Sequence, residues 1–384
     1  MKKDRFRFRH LIIYKAAHLI TPLMLRRFPF KTDKKSGLKS TIIMANHLTE
    51  VDMLMLIGAF GSHAYFVAGE HLIRSKNGAR FDWAQAPIYK YKGDSDLDAV
   101  KEIVRCIRSG HNVILFPEGS RSFNGETEAL PESVGKLVKL AGAGLVTYHI
   151  EGGYFVAPRW AYTERQGPMK GTIVRTLSKE EVAGISSEQL TRIINEDLYE
   201  HAYKRQRTAR LKYTGERLAE GLENYLVKCP RCGAFDSLST ADDAFRCTAC
   251  GLSGIYNEEG FLEGDALPYD NVYDWGRWAE DETTAYILAC DRERACFTDR
   301  NVRLYEITPD HREVTLGTGD ITGYRDRLEA CGQTFPLKDI EAVSMLYFGK
   351  TLLFTSCGRH FGITGESFHA IKYNKLFDAC KAEG

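Results

Sequence analysis

Apolar and polar positions alternate along the first half of the chain in blocks that read as strands followed by helices. Ser40-Thr41-Ile42-Ile43-Met44 is a short apolar run of the kind a buried strand shows. Residues 53–60 follow as an apolar helix. Thr49-x-x-Asp52 has capping-box spacing and predicts that this helix starts at Thr49. Residues 64–68, 112–116, 145–150 and 171–177 repeat the strand pattern. Residues 95–109 read as a helix with Ser95 as N-cap and Gly110 as stop, and Leu97, Val100, Ile103, Val104 and Ile107 fall on one face. Residues 131–143 and 187–203 read as further helices, the second running into the basic stretch Lys204-Arg205-Gln206-Arg207. Such alternation predicts an α/β sandwich over residues 35–210.

The pattern then changes. Residues 211–226 are polar and read as a helical connector. Cys229-Pro-Arg-Cys232-Gly and Cys247-Thr-Ala-Cys250-Gly follow, two Cys-x2-Cys knuckles each closed by glycine. This spacing predicts a zinc ribbon over residues 227–265, and four thiolates around one ion make a closed, structural site. From residue 283 onward the chain is β-rich, with short segments at 285–288, 295–298, 302–307, 340–348, 351–355 and 360–363. Residues 367–380 read as a closing helix with Ile371, Tyr373, Leu376 and Phe377 on its apolar face. The expected fold class is therefore multidomain α/β: the sandwich, a small zinc ribbon, and a β-rich domain over 283–384 whose many strands and one closing helix resemble a pleckstrin-homology-like fold. No internal repeat or low-complexity tract is present.

Charge adds one feature. The 384 residues carry a net charge of +1, but residues 1–40 hold twelve Lys/Arg against two Asp/Glu, leaving a net −9 over the rest. A basic arm of this kind meets an anionic surface. Residues 5–30 alternate Arg and Phe and then become rich in Leu, Ile and Met, which fits an amphipathic segment (residues 1–34) lying in a membrane interface. No run of about 18 uncharged apolar residues exists, so no transmembrane helix is expected. Ten cysteines without a secretory signal favour a reducing compartment and metal binding over disulfides.

Two stretches carry candidate chemistry. Asn46-His47-Leu48-Thr49-Glu50-Val51-Asp52 places a histidine on the turn after a strand and a carboxylate at a helix start, the composition of a general base and its orienter. Phe116-Pro117-Glu118-Gly119-Ser120-Arg121 follows a second strand. Together they resemble the glycerophospholipid acyltransferase family, which carries N-H-x-x-x-x-D and F-P-E-G-x-R in this order. Every fixed position matches, and the likeness extends over residues 10–210.

The resemblance implies acyl transfer to the free hydroxyl of lysophosphatidic acid, giving phosphatidic acid, with acyl-CoA or acyl-carrier protein as donor. His47 and Asp52 are then the catalytic pair, and Asn46, Glu118, Gly119 and Arg121 are substrate-binding residues, with Glu118 holding Arg121 or a substrate hydroxyl. The family often has a lysine after the strand at 64–68, where Gly69-Glu70 stands here. Lys90 or Lys92 stands where the family has an arginine. The expected partners are a lysophospholipid acceptor, an acyl donor and an anionic membrane surface, at a cytoplasmic, peripheral location on the membrane's inner face, without nucleic acid. Glycerol 3-phosphate as acceptor is the alternative within the class. A zinc-ribbon binder of nucleic acid or an anionic partner is the alternative outside it, although residues 229–251 are not notably basic.

Overall fold

The computed structural model describes residues 6–90 and 97–381, and the chain divides into two compact units. Residues 6–90, 97–158 and 166–213 form the first; residues 159–165 and 214–381 form the second.

Helix α1 (Phe8–Met24) opens the first unit. The strands that follow are β1 (Phe30–Thr32), β2 (Thr41–Ala45), β3 (Ala64–Gly69), β4 (Ile88–Lys90), β5 (Asn112–Leu115), β6 (Gly144–Glu151) and β7 (Met169–Leu177). They form one sheet in the order β1-β7-β6-β2-β5-β3-β4. β2 pairs in parallel with β5 on one side and β6 on the other, and β3 and β4 continue the parallel run beyond β5. β7 is antiparallel to β6, and β1 closes that edge. The C-terminal ends of β2, β3, β4, β5 and β6 therefore share one edge of the sheet, where open α/β sheets place their sites.

Helices α2 (Asp52–Ala59), α3 (Gly78–Gln85), α4 (Leu97–Arg108), α5 (Ser133–Ala141), α6 (Gly153–Val156), α7 (Lys179–Ala183), α8 (Ser187–Leu198) and α9 (Ala202–Ala209) connect and flank the strands. Alternate strand residues Ile42, Met44, Val113, Leu115 and Leu145 pack with Ile103 and Ile107 of α4, Val134 and Val138 of α5, and Leu190 and Ile194 of α8. The intervening Ile43, Ile114 and Val146 are also fully buried, so both sheet faces are covered, as a parallel sheet requires.

α1 lies against α2: the Tyr14 hydroxyl donates to Phe60 O at 3.0 Å, and a Cβ on Gly58 would come within 2.9 Å of Thr21. The helix is turned against the usual rule. It buries His10, Tyr14 and Thr21 and exposes Phe8, Ile12, Leu19, Ile20, Leu23 and Met24. None of the described helices is long and apolar enough to cross a membrane.

The second unit begins its regular structure with an antiparallel ribbon of β8 (Leu238–Ala241), β9 (Ala244–Cys247), β10 (Ser253–Tyr256) and β11 (Leu262–Glu263). Helix α10 (Val272–Ala289) follows. Seven strands come next: β12 (Phe297–Ile307), β13 (Glu313–Gly323), β14 (Arg327–Ala330), β15 (Gln333–Pro336), β16 (Ile340–Leu346), β17 (Thr351–Ser356) and β18 (Arg359–Thr364). They form an antiparallel sheet in the order β15-β14-β13-β12-β18-β17-β16. Helix α11 (Ala370–Lys381) packs Ala370, Tyr373, Leu376 and Phe377 against Leu304, Ile321, Leu328 and Phe361 of the strands. The ribbon is tied to this helix through Asp236, whose carboxylate accepts from Lys372 Nζ at 2.5 Å and lies 2.9 Å from His369 Nδ1.

Several expected boundaries differ. The predicted helix 187–203 is two helices, because Tyr199 is extended and Glu200 turns inward to bind Arg205 at 2.9 Å. The predicted helical connector 211–226 has only a single helical turn at Leu222–Asn224. Leu218, Leu222, Tyr225 and Leu226 do follow a helix stripe, but Arg217 (φ +60°) and Gly221 (φ +99°) take left-handed backbone there and interrupt any longer helix. Residues 159–165, inside the predicted sandwich, belong to the second unit, where the Asn224 amide donates to Trp160 O at 3.2 Å. The predicted strand 285–288 is the last turn of α10, which Asn271 caps and whose Trp275, Ala279, Thr283 and Ile287 recur every four residues on its buried face.

Candidate active site

His47 follows β2 after one residue, Asn46, and Asp52 opens α2. The Asp52 carboxylate is fully buried and closes the turn between them. Its Oδ2 accepts from Leu48 N at 2.7 Å and Thr49 N at 2.9 Å, and lies 2.9 Å from His47 Nδ1. Its Oδ1 accepts from the Thr49 hydroxyl at 2.9 Å. The expected capping box is absent: α2 starts at Asp52, and Thr49 donates to the carboxylate and accepts from Val51 N instead of capping the helix. The turn is nonetheless rigid, because four donors converge on one buried carboxyl group. An ionised carboxylate only accepts, so Nδ1 of His47 carries the proton and Nε2 the lone pair.

The ring of Phe116 stacks on the His47 imidazole, with centroids 4.2 Å apart and planes inclined by 17°. Phe116 comes directly after β5, the neighbour of β2 in the sheet. Glu118 Oε1 accepts the backbone N–H of His47 at 2.8 Å. Burial pushes the Glu118 carboxyl up to about 8; the His47 N–H opposes this, and the nearby Glu128 and Asp52 add to it. Glu118 thus holds the backbone of the first motif, not Arg121 as one sequence expectation had it.

Arg121 pairs with Glu50 instead, Nη2 to Oε1 at 3.1 Å. Glu50 is one of the unspecified positions between His47 and Asp52, so the two motifs interlock twice, through Glu118–His47 and Arg121–Glu50. Gly119 takes a left-handed φ of +70°, and its N–H donates to Phe116 O at 3.1 Å. A Cβ there would meet nothing within 4 Å, so backbone conformation and not crowding requires the glycine.

Asn46 is expected to bind substrate, and in the structure its amide is bonded to the backbone of β6. Its Oδ1 accepts from Ile150 N at 2.7 Å and its Nδ2 donates to Ile150 O at 2.9 Å, so a fully buried amide bridges the ends of β2 and β6. Asn46 shapes the strand end that presents His47. Lys90 is exposed at the end of β4, opposite Gly69 of β3. Three strand spacings, roughly 14 Å, lie between β4 and β2, so Lys90 is not gathered with His47. Lys92 lies outside the described residues. Glu70, where the family often has lysine, is buried and pairs with Arg74 at 3.0 Å.

From the sequence, Glu50 has no role, Thr49 is only a helix cap and Phe116 is only a motif position. All three lie in or beside the two motifs, and the only available signal was that proximity.

The second unit brings Cys229, Cys232, Cys247 and Cys250 together with all four Sγ atoms within 4.8 Å of one another. Cys229 and Cys250 are 3.7 Å apart, and Cys232 and Cys247 3.8 Å. A tetrahedron with metal–sulfur bonds of about 2.3 Å has edges of roughly 3.8 Å, so the cluster is compatible with zinc.

Comparison with known proteins bears on the first unit. The acyltransferase family model matches residues 30–151. No curated protein matches the chain. Among solved structures, the 1-acyl-sn-glycerophosphate (LPA) acyltransferase PlsC from Thermotoga maritima is similar at 18% identity and a TM-score of 0.43, over 49% of this chain and 77% of that one. The matched residues 30–151 hold both motifs and the strands β2 and β5 that present them, and this stretch belongs to the acyltransferase family.

Proposed function

We propose that the first unit transfers a fatty acyl group from acyl-CoA or acyl-carrier protein to the free hydroxyl of lysophosphatidic acid, giving phosphatidic acid. The observation that carries this reading is His47 Nδ1 held 2.9 Å from a buried Asp52, with Arg121 in the loop that follows the neighbouring strand β5 and paired to Glu50 of the same turn. In the proposed reaction Nε2 of neutral His47 takes the proton from the acceptor hydroxyl as its oxygen attacks the thioester carbonyl carbon. The carbon–sulfur bond then breaks, and the thiolate leaves with the proton that His47 returns. Asp52 keeps the imidazole in the required tautomer and stabilises the imidazolium formed in between. Arg121 binds the acceptor's phosphate through its planar fork.

The acceptor carries an acyl chain, and α1 supports delivery from a bilayer. Its exposed Phe8, Ile12, Leu19, Ile20, Leu23 and Met24 stand among the exposed cations Arg7, Lys15 and Arg26, the mixture that binds an anionic membrane interface. Exposed Trp83 on α3 lies beneath the Arg9 guanidinium, 5.1 Å from ring centroid to Cζ. We place the enzyme peripherally on the inner face of the membrane. In the second unit, the four cysteines hold a structural zinc ion.

The deciding experiment is turnover of radiolabelled lysophosphatidic acid with acyl-CoA or acyl-carrier protein, in wild type and His47→Ala. Phosphatidic acid should form, and His47→Ala should lower the rate by about 10²–10⁴ without unfolding the protein. Near-normal turnover in the folded variant sinks the mechanism.

A further inference from the structure

The pairing of Arg121 with Glu50 extends the proposed function and rests on it. We propose that the Glu50 carboxylate is a built-in occupant of the acceptor's phosphate position on Arg121, which the phosphomonoester must displace, and that Glu50 thereby sets the affinity for anionic acceptors.

The two partners are unequally placed. The Arg121 side chain is 16% exposed and that of Glu50 76%. A guanidinium so enclosed requires an anion beside it. Burial pushes its pKa down, and the carboxylates of Glu50 and Asp52 push it back up. Glu50 supplies the anion through one oxygen at 3.1 Å, on a side chain that water reaches freely. The Glu50 end of the pair is exposed, so its carboxylate is hydrated on leaving and the exchange costs little once another anion is on Arg121. A phosphate dianion offers more charge and two oxygens to the same fork.

The backbone around Glu50 explains why this residue can yield without disturbing the catalytic pair. Asp52 ties down Leu48 and Thr49, and Thr49 accepts from Val51 N. The turn is fixed on both sides of Glu50 by bonds that do not involve its side chain. A phosphate on Arg121 then takes the position that the side chain of Glu50, between His47 and Asp52 in the chain, had filled. The group that fills the site before the acceptor arrives is therefore also a repulsive charge once a dianion has entered.

The test uses the full chain and glycerol 3-phosphate as a water-soluble phosphomonoester probe, titrated calorimetrically into wild type, Glu50→Gln and Arg121→Ala. Turnover of lysophosphatidic acid is measured in parallel. Glu50→Gln should bind the probe 3- to 10-fold tighter and lower the acceptor's KM by a similar factor, with kcat little changed. Arg121→Ala should lose binding and raise KM at least 10-fold. Equal or weaker binding in Glu50→Gln, with Arg121→Ala still defective, overturns the role of Glu50 and leaves the phosphate site standing. Wild-type KM in Arg121→Ala, or no probe binding by any protein, overturns both.

Discussion

Glu118 accepts the backbone N–H of His47 across 71 positions of sequence, at 2.8 Å. The bond needs only an acceptor oxygen, and the raised pKa of about 8 means that the carboxyl is largely protonated at neutral pH. Glu118→Gln keeps the acceptor and should retain most activity at pH 7, whereas Glu118→Ala frees the His47 backbone and should lose at least 10-fold.

The same residue has a signature in stability. Its ordinary value is 4.5, so the folded protein takes up a proton between about pH 4.5 and about 8. Stability then falls as pH rises through that window and levels off above it. Each unit of difference corresponds to about 1.4 kcal/mol at most. Glu118→Gln should lack this fall, so denaturant titrations from pH 5 to 8 should show the variant gaining on wild type. A pH-independent difference, or Glu118→Gln as inactive as Glu118→Ala, contradicts the assignment.

Purified protein should contain one zinc ion per chain by elemental analysis. Cys232→Ser should lose the metal and speed amide exchange first in residues 227–265. Because Asp236 joins the ribbon to α11, exchange should also rise at residues 369–373. Metal-free protein after gentle purification argues against the site.

The outward apolar face of α1 should bind anionic vesicles. Leu19 is 78% exposed and Leu23 68%, so Leu19→Glu with Leu23→Glu should leave the fold intact and reduce co-sedimentation several-fold. Reversing Arg7 and Arg9 should weaken binding mainly at low salt, since only the charge component is screened. Equal binding by all three proteins excludes this docking mode.

What could be read from the sequence was what repeats at short range. The run 40–44 and the helix after it were legible because a strand buried on both faces is continuously apolar, and β2 indeed runs Thr41–Ala45. His47 and Asp52 were legible through their spacing. Thr49 misled, because a hydroxyl three residues before a carboxylate can cap a helix or donate to that carboxylate, and only the fold decides. The backbone role of Asn46 was not legible, because both ends of its amide go to Ile150, 104 residues away. β13 went unseen because only Ile321 and Gly323 in it are buried; its partners β12 and β14 define it more than its own pattern does. In α10, the four-residue recurrence from Trp275 to Ile287 was present but passed over for a short apolar run.

The tie between Asp236 and Lys372 spans 136 residues, and Asp236 also reaches His369. During synthesis the ribbon emerges long before α11, so its cysteines can gather a metal while the carboxylate of Asp236 still faces water. The last dozen described residues then cover the strand sheet with α11 and bring Lys372 to Asp236. A ribosome stalled in that final stretch would release a chain with a finished ribbon and an uncovered sheet face, although the acyltransferase stretch had been complete for more than two hundred residues.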